Sequence, residues 1–342
     1  MITLEDLEKF DTQKVHEIYD IWPDISKKSY FSDIKEINLE KCSHIVFAGM
    51  GGSGTIGDIF SSILSKTDTH VTVVKGYHLP RTVNSNSLVV VTSISGNTIE
   101  TISILENARK SGAKIIAFSD GGKIQELCLN YNIEHRNIPK YHSPRASFTS
   151  FLYSMLRVLK PIIPIVESDI LESIDTLKKI SKKINSNNLT IENPSIQISE
   201  WLKNSPIIYY PWGLESAATR YKNSLQENAK TQAMIEDVIE ASHNGIVGWS
   251  RKNNFQAILL RGVDDQKTTI ERWNILKEFF ESKNIEHIEV ISENGNILTK
   301  IIGLIYLLDY SSIFYAIKLK VDPSPVDAID FIKNKLNQHQ TK

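Results

Sequence analysis

Short β-branched runs alternating with longer helical patterns predict an α/β chain of two tandem units, each a parallel sheet flanked by helices. Three observations carry that expectation. The 342 residues exceed what one hydrophobic core usually serves. The strand–helix alternation runs through both halves. A stretch rich in Lys, Ser, Asn and Ile, from about 158 to 200, separates them. The expected division is therefore 1–157 and 158–342.

In the first half, strands are expected at 44–48, 70–75, 88–92 and 114–118. Their near-continuous apolar character suits a sheet covered on both faces. In the second half, the same scheme places strands at 206–210, 255–261 and 287–291. Between the halves, Pro161 and Pro164 interrupt the chain. Isoleucines and leucines then recur at helical spacing, so 170–184 reads as a helix and not as a bare linker. The most apolar stretch, 301–317, is broken by Asp309 and flanked by Lys300 and Lys318. That pattern predicts a buried helix and no membrane span.

Composition narrows the function classes. Hydrophobic residues at 41% and charged residues at 23% are ordinary for a packed globular protein. Lys and Arg total 39 against 40 Asp and Glu, so no global basic field attracts nucleic acid or an anionic membrane. Any bound anion must be held locally. Cys42 and Cys128 cannot build a disulfide framework and lack zinc-site spacing, which points to a reducing compartment and no structural metal. The acidic start Thr3-Leu4-Glu5-Asp6 is unlike a signal peptide, so a cytoplasmic location is expected.

Two strand ends carry the chemistry. The first runs into Gly49-Met50-Gly51-Gly52-Ser53-Gly54 and then a helical pattern. Such a turn lets backbone amides approach an anion, with a helix dipole behind them. A dinucleotide site uses the same device. Against a dinucleotide, the next strand ends in Val74-Lys75-Gly76, with no acid to bind a ribose. The second strand end reads Thr92-Ser93-Ile94-Ser95-Gly96-Asn97-Thr98, and Ile99, Ile102 and Leu105 then share a helical face. Ser93, Ser95 and Thr98 place three hydroxyls around a helix start with unpaired amides, an arrangement suited to a phosphate monoester. Taken singly, each is also compatible with an ordinary helix cap or turn.

These two motifs together resemble the sugar isomerase (SIS) domain. Gln226-Glu227-Asn228-Ala229-Lys230 and Ser242-His243-Asn244-Gly245-Ile246-Val247-Gly248-Trp249 narrow the likeness to the bifunctional phosphoglucose/phosphomannose isomerase family. The resemblance extends from Trp22-Pro23 to Asp322-Pro323-Ser324-Pro325-Val326. It implies two tandem sugar-isomerase-type domains. It also implies an aldose–ketose isomerase that interconverts fructose 6-phosphate with glucose 6-phosphate and mannose 6-phosphate, without a cofactor or metal.

By the same resemblance, Gly52, Ser53, Ser93, Ser95 and Thr98 bind the substrate phosphate. Glu227 is the base that moves a proton between neighbouring carbons through a cis-enediol. His243 assists ring opening from a partner subunit, which implies a homodimer. Arg145, in Pro144-Arg145-Ala146, faces the enediolate, and Lys333 assists ring opening. Ser147 and Phe148 depart from the smaller or aliphatic residues common in relatives.

Local spacing alone is compatible with plainer roles. Glu227 lies three residues before Lys230, as solvated helix pairs do, and Lys333 lies close to Lys335 on an expected helical surface. The competing functions are an isomerase of pentose or amino-sugar phosphates, and a non-catalytic sugar-phosphate sensor. A sensor needs the phosphate loop but no base, so Glu227 separates the two classes. No DNA-binding helix-turn-helix is legible.

Overall fold

Side-chain alternation on the strands dictates the layering. The structure is a computed structural model that describes residues 2–39 and 41–340. Three short helices come first: α1 (Leu4–Phe10), α2 (Val15–Asp20) and α3 (Trp22–Tyr30). The first sheet and its helices follow as β1 (His44–Ala48), α4 (Gly52–Leu64), β2 (His70–Val74), β3 (Ser87–Thr92), α5 (Ile99–Ser111), β4 (Lys114–Ser119), α6 (Gly122–Tyr131) and β5 (Glu134–Asn137). Then come α7 (Phe148–Val158), α8 (Glu167–Ile184) and α9 (Pro194–Trp201). The second sheet comprises β6 (Pro206–Tyr210), α10 (Glu215–Asn228), β7 (Met234–Asp237), α11 (Val238–Ala241), β8 (Gln256–Arg261), α12 (Lys267–Ser282) and β9 (His287–Ile291). The chain closes with α13 (Ile297–Lys318) and α14 (Asp327–Gln340).

Every strand pair is parallel. The first sheet has the order β2-β1-β3-β4-β5 and the second β7-β6-β8-β9. In each sheet the order reverses beside the first strand, between β1 and β3 and between β6 and β8. Open α/β sheets bind ligands outside the carboxyl ends of the strands at that point.

On β1, Ile45 and Phe47 join the large core shared by the two halves, while Val46 and Ala48 join a smaller core under α5 and α6. On the second sheet, Ile208, Ile258 and Leu260 face the shared core, and Tyr209, Ala257 and Leu259 face Trp273 and Phe280 of α12. The helices between the sheets therefore belong to both halves. α13 packs on α8, α9 and α10, and α3 packs on α7.

At the centre, Trp22 stacks on Tyr19 with ring centroids 4.3 Å apart and on Tyr306 at 5.5 Å. Its indole N–H donates to the Ala146 carbonyl at 2.9 Å. Such a side chain contributes roughly 1.5–3 kcal/mol by burial, and here it also anchors the segment that carries Arg145.

The expected strands all form, and two further edge strands, β5 and β7, complete the sheets. The helix expected at 170–184 is α8. The apolar stretch around 301–317 lies in α13, which is long and apolar enough to cross a membrane. However, 83% of its most apolar window is buried inside the protein.

Candidate active site

The carboxyl edge of the first sheet is built to expose donors. Gly51 has φ +54°, a conformation that favours glycine, and caps α4 without any side-chain bond. Gly96 has φ +70°, and a Cβ there would collide with the Gly121 carbonyl oxygen, so only glycine fits. Ser93 donates to the Thr98 hydroxyl at 3.0 Å, and the Ser95 hydroxyl accepts from the Asn97 amide at 3.4 Å. Asn97 ties this loop to α6 by accepting from the Lys123 amide at 3.0 Å. Among the described residues, the amides of Gly52, Thr98, Ile99 and Glu100 donate to no acceptor. Ser53 is buried, yet its hydroxyl has no hydrogen-bond partner among the described residues. Free amides and hydroxyls at two helix starts are groups that can receive an anion.

Lys75, just after β2, pairs with Asp58 of α4 at 2.6 Å. Burial pushes the Asp58 carboxyl up, with Lys75 acting against it.

The second cluster joins distant parts of the chain. Glu227 is the penultimate residue of α10, and its carboxylate faces Nη1 of Arg145 at 3.4 Å. Arg145 is buried. Its Nη2 donates to the carbonyls of Pro323 and Ser324 at 2.6 and 2.9 Å, which fixes the plane of the guanidinium. Its Nε, the Ser324 hydroxyl and the Asn228 side-chain oxygen are buried without partners among the described residues. Polar atoms left so are expensive unless a polar ligand or water meets them.

Lys230, with φ +52°, does not pair with the Glu227 carboxylate as a solvated helix pair would. It donates to the Glu227 carbonyl at 2.8 Å and to that of Asp322 at 2.9 Å, binding the end of α10 to the C-terminal loop. Burial lowers its pKa, and the nearby Arg145 lowers it further.

Between the two clusters lies an ion pair that sequence reasoning missed. Arg220 on α10 binds Asp309 on α13 through Nε at 2.8 Å and Nη2 at 2.6 Å. Nη2 also donates to the Arg145 carbonyl at 2.8 Å. Both side chains are buried, and removing one member of such a pair typically costs about 3–5 kcal/mol. Burial disfavours the Arg220 charge, but Asp309 outweighs it and holds the guanidinium protonated.

The signal for this pair was the acid that interrupts an otherwise apolar run, because a buried carboxylate demands a cation. Ser147 and Phe148 lie behind Arg145. The Ser147 hydroxyl bonds to Tyr141 and Ser143, and the Phe148 ring lies under the Arg220 guanidinium at 4.4 Å.

Two expected residues are not gathered. His243 is exposed in the turn after α11, and its ring makes no hydrogen bond among the described residues. Lys333 is exposed on α14, a helix that also exposes Phe331 and Ile332. Within one chain, neither joins Arg145 and Glu227 through a hydrogen bond or ion pair.

With this geometry in hand, comparison with known proteins gives a consistent answer. The SIS domain family matches residues 38–157, and the family described as the bacterial phospho-glucose isomerase C-terminal SIS domain matches 191–336. The chain is 32% identical over 335 residues to the bifunctional phosphoglucose/phosphomannose isomerase of Caldicellulosiruptor bescii, covering 95% of this chain and 96% of that protein. It is 30% identical to the protein of the same name from Aquifex aeolicus, covering 95% and 100% respectively. Among solved structures, a hypothetical protein from Thermus thermophilus superposes with a TM-score of 0.71 at 11% identity, over 99% of this chain and 93% of that one, a likeness of fold. The chain belongs to the bifunctional phosphoglucose/phosphomannose isomerase family.

Proposed function

We propose that this chain interconverts fructose 6-phosphate with glucose 6-phosphate and mannose 6-phosphate by proton transfer through a cis-enediol. The observation that carries the proposal is the 3.4 Å pairing of Arg145 with Glu227, linked through Arg220 to Gly52 of the phosphate-type turn. The free amides and the hydroxyls of Ser53, Ser93, Ser95 and Thr98 hold the phosphate and so fix the far end of an open-chain sugar. Gly52 contributes its free amide.

The Glu227 carboxylate takes the proton from C1 of the ketose, and the electron pair moves to form the enediol. Return of a proton to C2 from one face yields glucose 6-phosphate, and from the other face mannose 6-phosphate. One base within reach of both carbons suffices for both products when the enediol turns about its C2–C3 bond, so that either face of C2 meets Glu227. Arg145 stays charged throughout and stabilises the negative oxygen without competing as an acid.

Ring opening falls to His243, contributed by the partner in a homodimer, with Lys333 assisting. The exposure of both in the single chain is compatible with action across an interface. The free Cys42 and Cys128 fit a cytoplasmic enzyme.

Incubating the purified protein with fructose 6-phosphate and identifying the aldoses tests the reading. Both aldose phosphates should appear. Turnover of only a pentose or amino-sugar phosphate would contradict it, as would binding of hexose phosphates without any turnover.

A further inference from the structure

Arg220, Ser224 and Glu227 occupy positions i, i+4 and i+7 on α10, one face of one helix. A closed circuit of contacts runs from that face. Glu227 meets the Arg145 side chain, and the Arg145 carbonyl accepts from Arg220 at 2.8 Å. Arg220 grips Asp309, and the other oxygen of Asp309 accepts from Ser224 at 2.6 Å, one turn before Glu227. Tyr19 adds a longer contact to Asp309 at 3.4 Å. The one Arg220 nitrogen left without an acceptor among the described residues, Nη1, lies 3.1 Å from where a Cβ on Gly52 would stand. The same guanidinium therefore abuts the phosphate-type turn, the backbone of Arg145 and the helix of Glu227.

We propose that Arg220, held by Asp309, is a positioning residue that sets the spacing between Glu227, Arg145 and the glycine-rich turn. The inference rests on the roles proposed above for those residues. A buried ion pair is not needed for stability alone, because an apolar pair of similar volume often serves as well or better. Its particular contribution here is geometric: one guanidinium holds both the Arg145 carbonyl and the Asp309 carboxylate. A proton transfer is sensitive to displacements on the order of 1 Å.

The test compares wild type with Arg220→Met/Asp309→Leu, which removes both charges together and leaves neither unpaired. Thermal melting, kcat and KM are measured with fructose 6-phosphate. Melting should stay near that of wild type while kcat falls about 10²-fold and KM moves less than about threefold. Wild-type kcat in that stably folded variant would overturn the proposal and leave the pair a structural element. A raised KM at unchanged kcat would also overturn it, making Arg220 a ground-state binding contact.

Should the double variant fail to fold, Arg220→Lys decides. It keeps the charge and loses the fork, so kcat should fall with KM held, and wild-type kcat would count against the proposal. Failure of wild type itself to turn over fructose 6-phosphate would instead refute the proposed reaction, which separates the two ideas.

Discussion

The two parallel sheets share a plan, but their carboxyl edges are finished differently. After β1 and β3, the turns leave amides and hydroxyls without partners and hold Gly51 and Gly96 at positive φ, as Gly213 is held after β6. After β6 and β8, the corresponding cleft measures about 970 Å³ and is lined by Trp212, Asp264, Asp265 and Lys300, among others. There several donors are already taken. The Gly262 amide donates to Asp265 at 3.1 Å, the Val263 amide to Ser292 at 3.1 Å, and Lys300 to both oxygens of Asp264 at 2.6 Å. A doubly charged phosphate would meet unpaired amides and hydroxyls at the first edge, and at the second the carboxylates of Asp264 and Asp265 beside Arg272, whose Nε is buried without a partner among the described residues. The difference teaches that the fold offers a crevice twice and that, on the function proposed above, local turn chemistry decides which crevice receives the substrate phosphate. On that same proposal, the second half contributes instead from the far end of α10, through Glu227.

The largest effect expected from this division of labour is on the base. Glu227→Gln should lower kcat by about 10²–10⁴-fold while the protein still binds a sugar phosphate, measured by steady-state kinetics alongside calorimetric titration. Near-normal turnover would remove the second half from the chemistry. A smaller effect belongs to the first edge. Thr98→Val should weaken sugar-phosphate binding by about 1.5–3 kcal/mol, read as a raised KM with the fold intact. An unchanged KM would take Thr98 out of the receptor. The smallest effect is expected at the second edge, where Asp264→Asn should shift KM less than about twofold, since it alters an exposed ion pair of little worth. A large improvement or loss there would show that the second crevice also handles substrate.

The difference between the edges also explains what was legible in the sequence. The strands at 44–48, 206–210 and 287–291 appear as β1, β6 and β9 with the same bounds, because parallel strands are recognisable from their β-branched, apolar runs. β5, Glu134-His135-Arg136-Asn137, and β7, Met234-Ile235-Glu236-Asp237, escaped notice because each is only four residues long and carries charged residues, unlike the edge strands β2 and β9 with their valines and isoleucines. The receptor loops were legible because glycine and hydroxyl residues cluster locally. Glu227, by contrast, was recognisable only by family resemblance, since its meaning depends on Arg145, 82 positions away. Arg220 and Asp309 lie 89 positions apart, so local spacing could not connect them. The single acid in the apolar stretch of α13 was visible, but its partner was not.

The central claim is that a carboxylate of the second half moves a proton on a sugar anchored by the first. Isomerisation of fructose 6-phosphate in heavy water, with both aldose phosphates analysed by NMR, tests it most directly. Deuterium should appear at C2 of glucose 6-phosphate and mannose 6-phosphate, because a proton held by Glu227 in an open cleft exchanges with solvent. Products carrying only protium at C2 throughout the reaction, made equally fast by Glu227→Gln, would contradict the account.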